Sequence, residues 1–171
     1  MDLFEVIEKR HSIRAFLDTP LEAEMVERII QAAMRAPSAG NLQAYEIFLA
    51  ETPAIRSALA QASLDQDFIA SSPLALVFCT VPARSQVRYG PRGANLYALQ
   101  DATIACSFAM LAATALGLTS VWVGAFDDRR VLRALGDPPG LMPVAILPIG
   151  YPAEEPEIRP RRAIHEMIHK I

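Results

Sequence analysis

Arg10, His11, Ser12 and Arg14 lie within five positions, in the stretch RHSIRAF (10–16). Three potentially cationic side chains and a hydroxyl so spaced are chemistry for an anion. Guanidinium groups are planar forks that match phosphate through paired N–H donors. A plainer alternative is that these cations complement the negative pole at a helix end. A second cluster far off in the chain, Arg159, Arg161 and Arg162, points back to phosphate. It sits in YPAEEPEIRPRR, which is rich in proline and charge and therefore extended. Alternate residues of an extended chain project the same way. Arg159 and Arg161 can then close on the anion that Arg10 and Arg14 hold. Donors from both ends of the chain suit a dianionic phosphate monoester.

Other motifs carry less. HEMIH (165–169) matches the H-E-x-x-H zinc pattern, but only Lys170 and Ile171 follow it, so no third ligand is expected and no metal site. PSAGN (37–41) lacks the first glycine of the G-x-S-x-G nucleophile turn and follows a helix, where that turn needs a strand. GPRGAN (90–95) has the wrong spacing for a dinucleotide-binding loop. Cys79 and Cys106 form no metal or redox motif and sit in apolar surroundings, as buried free thiols do.

These residues need a frame. Asp2 and Glu5 form a capping-box pattern for a helix over 3–10. Thr19-Pro20-Leu21-Glu22 reads as the start of a second helix, which Pro37 ends. Residues 37–43 read as a loop, 45–51 as a strand, 53–64 as a short helix and 74–81 as a buried strand. Residues 82–96, with Arg84, Arg88 and Arg92, read as a long surface loop. A helix over 97–116 stops at Gly117, and 120–126 is a strand running into a turn. Asp127 caps a short helix closed by Gly136, 142–150 is a strand, and a last helix covers 163–169. Without regular βαβ alternation the class is α+β.

Composition bounds the rest. The 171 residues suggest one domain over 1–171, and 52% of them are hydrophobic. A domain this size buries only ~70% of its unfolded surface, so leftover apolar area points to an oligomer. A net charge of −3 argues against nucleic acid, which requires a basic face. Ala102–Leu118 is uncharged, but alanine, serine and threonine dilute it, so it reads as a buried helix rather than a membrane span. The acidic start MDLFEVIEKR has no export pattern, and a cytoplasmic location is expected.

RHSIRAF, APSAGNLQ, YGPRGANLYALQDATIA, GLTSVWVGAFD and PVAILPIGYPAEEPEIRPRR occur in this order along nearly the whole chain. Together they resemble the nitroreductase family of FMN-dependent NAD(P)H oxidoreductases, in particular short members with a W-x-G-A-F turn and a Y-P-x-E-x-P tail. The resemblance implies a central, mainly antiparallel sheet flanked by helices in an intertwined homodimer. It implies bound FMN, NAD(P)H as co-substrate and a small flat acceptor, the alternatives being dehalogenation or flavin breakdown on the same scaffold, or a non-enzymatic flavin-binding protein. Arg10, His11 and Ser12 match phosphate and ribityl contacts, and Arg159 and Arg161 match a C-terminal phosphate clamp. Arg14 matches a cation at the flavin's pyrimidine edge, with Gln66 as an amide nearby. Val123, Gly124 and Ala125 match the turn beside the ring. Pro37, Ser38, Ala39 and Asn41 match a loop that reaches the other subunit's flavin. No protein nucleophile is implied. Gly124 stands where larger members carry glutamate, and QDFIASS (66–72) lacks a lysine that some carry.

Overall fold

The computed structural model describes residues 1–171. Leu74–Thr80 (β2) is the apolar centre about which it is built, and all seven of its residues are buried. Its side chains alternate between two cores, as the period of a strand requires. Leu74, Leu76 and Phe78 enter one, with Ile29 and the alanines of a long helix. Ala75, Val77 and Cys79 enter the other, with Leu59, Ile69 and Val131. A strand apolar on both faces must lie inside a sheet covered on both sides.

That sheet is antiparallel. Tyr45–Ala50 (β1) pairs with β2, β2 with Met142–Gly150 (β4), and β4 with Thr119–Ser120 (β3), in the order β1-β2-β4-β3. One face carries α2 (Ala23–Met34) and α6 (Ala98–Ala115), and the other carries α3 (Pro53–Ala62), α4 (Phe68–Ser71) and α7 (Asp128–Ala134). Ala98, Ala102, Ala105, Ala109 and Ala113 line the inner side of α6 and are fully buried. Side chains that small let the helix axis sit close to sheet and α2. The α+β class and antiparallel sheet agree with the sequence expectations, as do the Asp2 capping box of α1 (Leu3–Lys9) and the Asp127 cap of α7.

Three local expectations fail. The second helix starts at Ala23, not at Pro20, and its N-cap Glu22 makes no side-chain capping bond. Residues 82–96 are not a loop: Pro82–Arg92 is helical (α5), and a wide π turn, Gly93–Tyr97, runs it into α6. The strand expected over 120–126 shrinks to β3 plus one bridge, Val123 to Ile146, because the chain there leaves the sheet for a turn. The Pro82–Ala115 segment, kinked at Gly90, is long and apolar enough to cross a membrane by length and composition. Nine residues of its α6 part are buried within this chain.

Candidate functional site

The two cationic clusters meet. Arg10, His11, Ser12, Arg14, Arg159 and Arg161 line one cleft of about 660 Å³. Backbone pairing between the chain's ends brings them together. Leu17 N–H donates to Tyr151 O and Ala153 N–H to Ala15 O, both at 2.9 Å. Ser12 bridges Ser120 at the end of β3, which ties this N-terminal run to the sheet. Glu154 completes the seam: its Oε1 accepts from the backbone N–H of Arg14 at 2.5 Å and of Ala15 at 3.2 Å. The tail leaves β4 and runs beside residues 13–17, so it must carry Arg159 and Arg161 toward Arg10.

Two acids, Glu8 and Glu157, share the cleft. Glu157 accepts from Arg159 Nη2 at 2.8 Å. That hydrogen bond, with the charge of Arg159, holds its carboxyl below the usual range, and Glu157 in turn raises Arg159. Both groups are exposed to solvent, so the pair is weak and open to exchange for a better anion.

The W-x-G-A-F turn lies at the rim of the opposite core. Val123 exchanges two backbone hydrogen bonds with Ile146, at 2.9 and 3.0 Å, while Gly124 and Ala125 are exposed. Gln66 reaches this turn. Its Nε2 donates to Ala125 O at 3.2 Å and to Ser63 O at 2.7 Å, so the amide is fixed beside the turn.

The Pro37–Asn41 loop lies elsewhere. Pro37, Ser38 and Ala39 line a second cavity of about 600 Å³ with Tyr97, Leu99, Asp101 and Ile104. No residue is common to this cavity and the cationic cleft. Asp101 on α6 organises the loop: Oδ1 accepts from Ala39 N–H at 2.9 Å and Oδ2 from Ala44 N–H at 3.2 Å. Ser38 Oγ accepts from Gln43 N–H at 3.0 Å. Gly40 and Asn41 both adopt φ of 57°, and a Cβ on Gly40 would stand 2.5 Å from Tyr89 Oη. Any larger residue there would have to displace the ends of the Tyr89 and Arg88 side chains.

Within one chain the expected residues thus form three groups: the cationic cleft, the turn with Gln66, and the loop. Sequence reasoning missed Glu154 and Asp101. A signal existed for Asp101, a lone acid bordering seventeen uncharged residues. None existed for Glu154, one of three glutamates in a charged tail.

Residues 7–151 match the family model described as "Nitroreductase family". An NADPH-flavin oxidoreductase of Vibrio harveyi is 30% identical over 173 residues, covering 97% of this chain and 72% of that protein. An NADH dehydrogenase of Thermus thermophilus is 29% identical, covering 86% of this chain and 85% of that protein. Among solved structures, the NADPH:FMN oxidoreductase of Vibrio harveyi complexed with NAD+ superposes with a TM-score of 0.89 at 28% identity. That superposition covers 98% of this chain and 76% of that one. With a family match over most of its length and the same fold, the chain belongs to the nitroreductase family.

Proposed function

We propose that this chain is an FMN-dependent NAD(P)H oxidoreductase whose phosphate grip is the cationic cleft. The observation that carries the proposal is the convergence of Arg10, His11, Ser12, Arg14, Arg159 and Arg161 on one cavity. A phosphate dianion needs several charge-assisted donors, and this donor set fits it. Glu8 and Glu157 also line the cleft, and Glu157, the one paired with a cleft arginine, is exposed and can release Arg159 to an incoming phosphate. Arg10, His11, Ser12, Arg159 and Arg161 would hold the phosphate and ribityl end. Bound FMN would supply the redox chemistry, hydride transfer from NAD(P)H to an acceptor in a ping-pong cycle.

The chain's own residues position and polarise. Arg14, fixed by Glu154 through its backbone N–H, offers a cation at the edge where negative charge collects on reduction. Gln66 offers an amide beside Val123, Gly124 and Ala125, and the exposed glycine lets a flat ring approach the backbone. Pro37, Ser38, Ala39 and Asn41, remote from the cleft in one chain, complete the site of a second copy in a homodimer. Flat electrophiles such as quinones and nitroaromatics suit such a slot. The relatives described as NADPH-flavin oxidoreductase and NADPH:FMN oxidoreductase support the cofactor and donor classes.

The test is an absorption spectrum of the purified protein, before and after anaerobic NADH or NADPH. Flavin absorbance that bleaches with the donor and returns with a quinone is expected. A colourless protein that takes up no added FMN would overturn the proposal.

A further inference from the structure

Arg88 and Arg92 have no carboxylate partner: the ion pairs of the chain join Arg84 to Glu46, Arg159 to Glu157 and Arg162 to Glu166. Both are exposed, yet each is seated on a tyrosine. Arg88 Cζ lies 5.4 Å from the centroid of the Tyr89 ring, and Arg92 Cζ lies 5.6 Å from that of Tyr97. Arg92 Nε also donates to Tyr97 Oη at 3.1 Å. The two rings meet edge to face with centroids 5.2 Å apart, so the four side chains form one continuous rim. Gly90, at φ 58° and ψ −148°, breaks α5 between the two arginines.

The rim borders the Pro37–Asn41 loop. A Cβ on Gly40 would stand 2.9 Å from Arg88 Nη1. Tyr97 lines the 600 Å³ cavity together with Pro37, Ser38 and Ala39. Arg84, by contrast, is occupied: it donates to the carbonyls of Gln43 and Tyr45 and to Glu46. Its part is to brace the strand end, which leaves Arg88 and Arg92 as the two cations free to act.

A guanidinium stacked on an aromatic face keeps its in-plane N–H donors available. Two such forks, held against a pair of edge-to-face tyrosines, match a ligand that carries phosphate groups. We propose that Arg88 and Arg92 form a phosphate-binding rim for the nicotinamide dinucleotide donor, with Tyr89 and Tyr97 beneath it. This rests on the oxidoreductase function proposed above, in which the adjoining loop reaches the site of a second copy. A donor entering that site passes the rim. Its 2′-phosphate and its pyrophosphate share the required chemistry.

The test compares the flavin-loaded parent with the Arg88→Gln, Arg92→Gln double variant. Calorimetry gives the Kd of adenosine 2′,5′-bisphosphate and of ADP, and anaerobic stopped-flow gives apparent Kd values for NADPH and NADH. The double variant is expected to bind NADPH at least tenfold more weakly. A loss confined to NADPH and the 2′,5′-bisphosphate assigns the 2′-phosphate, whereas equal losses with NADH and ADP assign the pyrophosphate. Kd values within twofold of the parent for all four ligands overturn the rim. Should the glutamine pair fail to load flavin, the Arg88→Lys, Arg92→Lys pair, which keeps charge and loses the fork, decides by the same criterion. A parent whose flavin no dihydronicotinamide reduces, but which loses adenosine 2′,5′-bisphosphate on substitution, sinks the oxidoreductase function and keeps the rim.

Discussion

A carboxylate that accepts two backbone N–H groups acts as a clamp on the segment that carries them. Glu154 does this for Arg14 and Ala15, and so fixes the orientation of the cleft's N-terminal wall. Glu154→Ala returns both N–H groups to water, at about 1 kcal/mol. The Kd for FMN, read by flavin fluorescence quenching, should rise about fivefold, and Glu154→Gln should recover most of it. An unchanged Kd in the alanine variant would mean the clamp positions nothing. Arg161→Ala removes a direct donor and should cost more, about ten- to a hundredfold in Kd, with a weaker dependence on salt. Asp101 is the buried counterpart, with both oxygens used by the loop. In Asp101→Asn an NH2 group faces a backbone N–H, at about 2 kcal/mol, read as a lower urea midpoint. Burial raises the Tyr45 pKa, and the charge of Asp101 raises it further. Tyrosinate absorbance in the same variant should therefore titrate at lower pH.

At the scale of elements, β2 and α6 carry the two thiols at the heart of the sheet. Burial pushes the Cys79 thiol up to about 12, with a smaller push from Glu46, and raises Cys106 as well. A thiol whose folded pKa exceeds its unfolded value stabilises the fold fully below the unfolded pKa. That contribution is lost as pH rises toward the folded one, because the unfolded chain releases its proton first. Stability should thus decline between about pH 8.5 and 12, at up to about 1.4 kcal/mol per pH unit for each thiol. Urea midpoints across that range check this, and a Cys79→Ala, Cys106→Ala pair should flatten the slope. β2 and β4 were legible in the sequence because they are continuous apolar runs, and α7 because Asp127 and Gly136 punctuate it. Helix α5 was not, because Gly90, Pro91 and three arginines look like a loop. Tertiary contact overrides local propensity there: Ser85 is buried, and a Cβ on Gly93 would stand 2.5 Å from its carbonyl oxygen. The cationic cleft was legible only as two clusters. What joins them is backbone pairing of Leu17 with Tyr151 and of Ala153 with Ala15, from opposite ends of the chain, which leaves no mark on side-chain pattern.

At the scale of the molecule, apolar surface is left unpaired. The outer face of α6 presents Leu99, Ile104, Phe108 and Leu111, none of them fully buried and none charged. The tail beyond Pro156 is exposed throughout, although it carries Ile158, Ile164, Met167, Ile168 and Ile171. Ile158 and Ile164 are 79% and 80% exposed. Such residues give up the hydrophobic stabilisation of burial unless a second surface covers them. The proposed homodimer would answer both needs: an isologous contact would lay the same face on itself, with each Pro37–Asn41 loop turned to the other chain. Light scattering should therefore give twice the 18.7 kDa of one chain. Phe108→Glu places two like charges near the axis without touching the cationic cleft, and should shift the protein toward monomer. If the loop serves the partner's site, that monomer keeps a phosphate grip but lacks part of the ring's enclosure. Flavin binding should then weaken as protein is diluted, and recover as it is concentrated. A Phe108→Glu monomer that binds FMN as tightly as the parent at every protein concentration would show that each chain completes its own site.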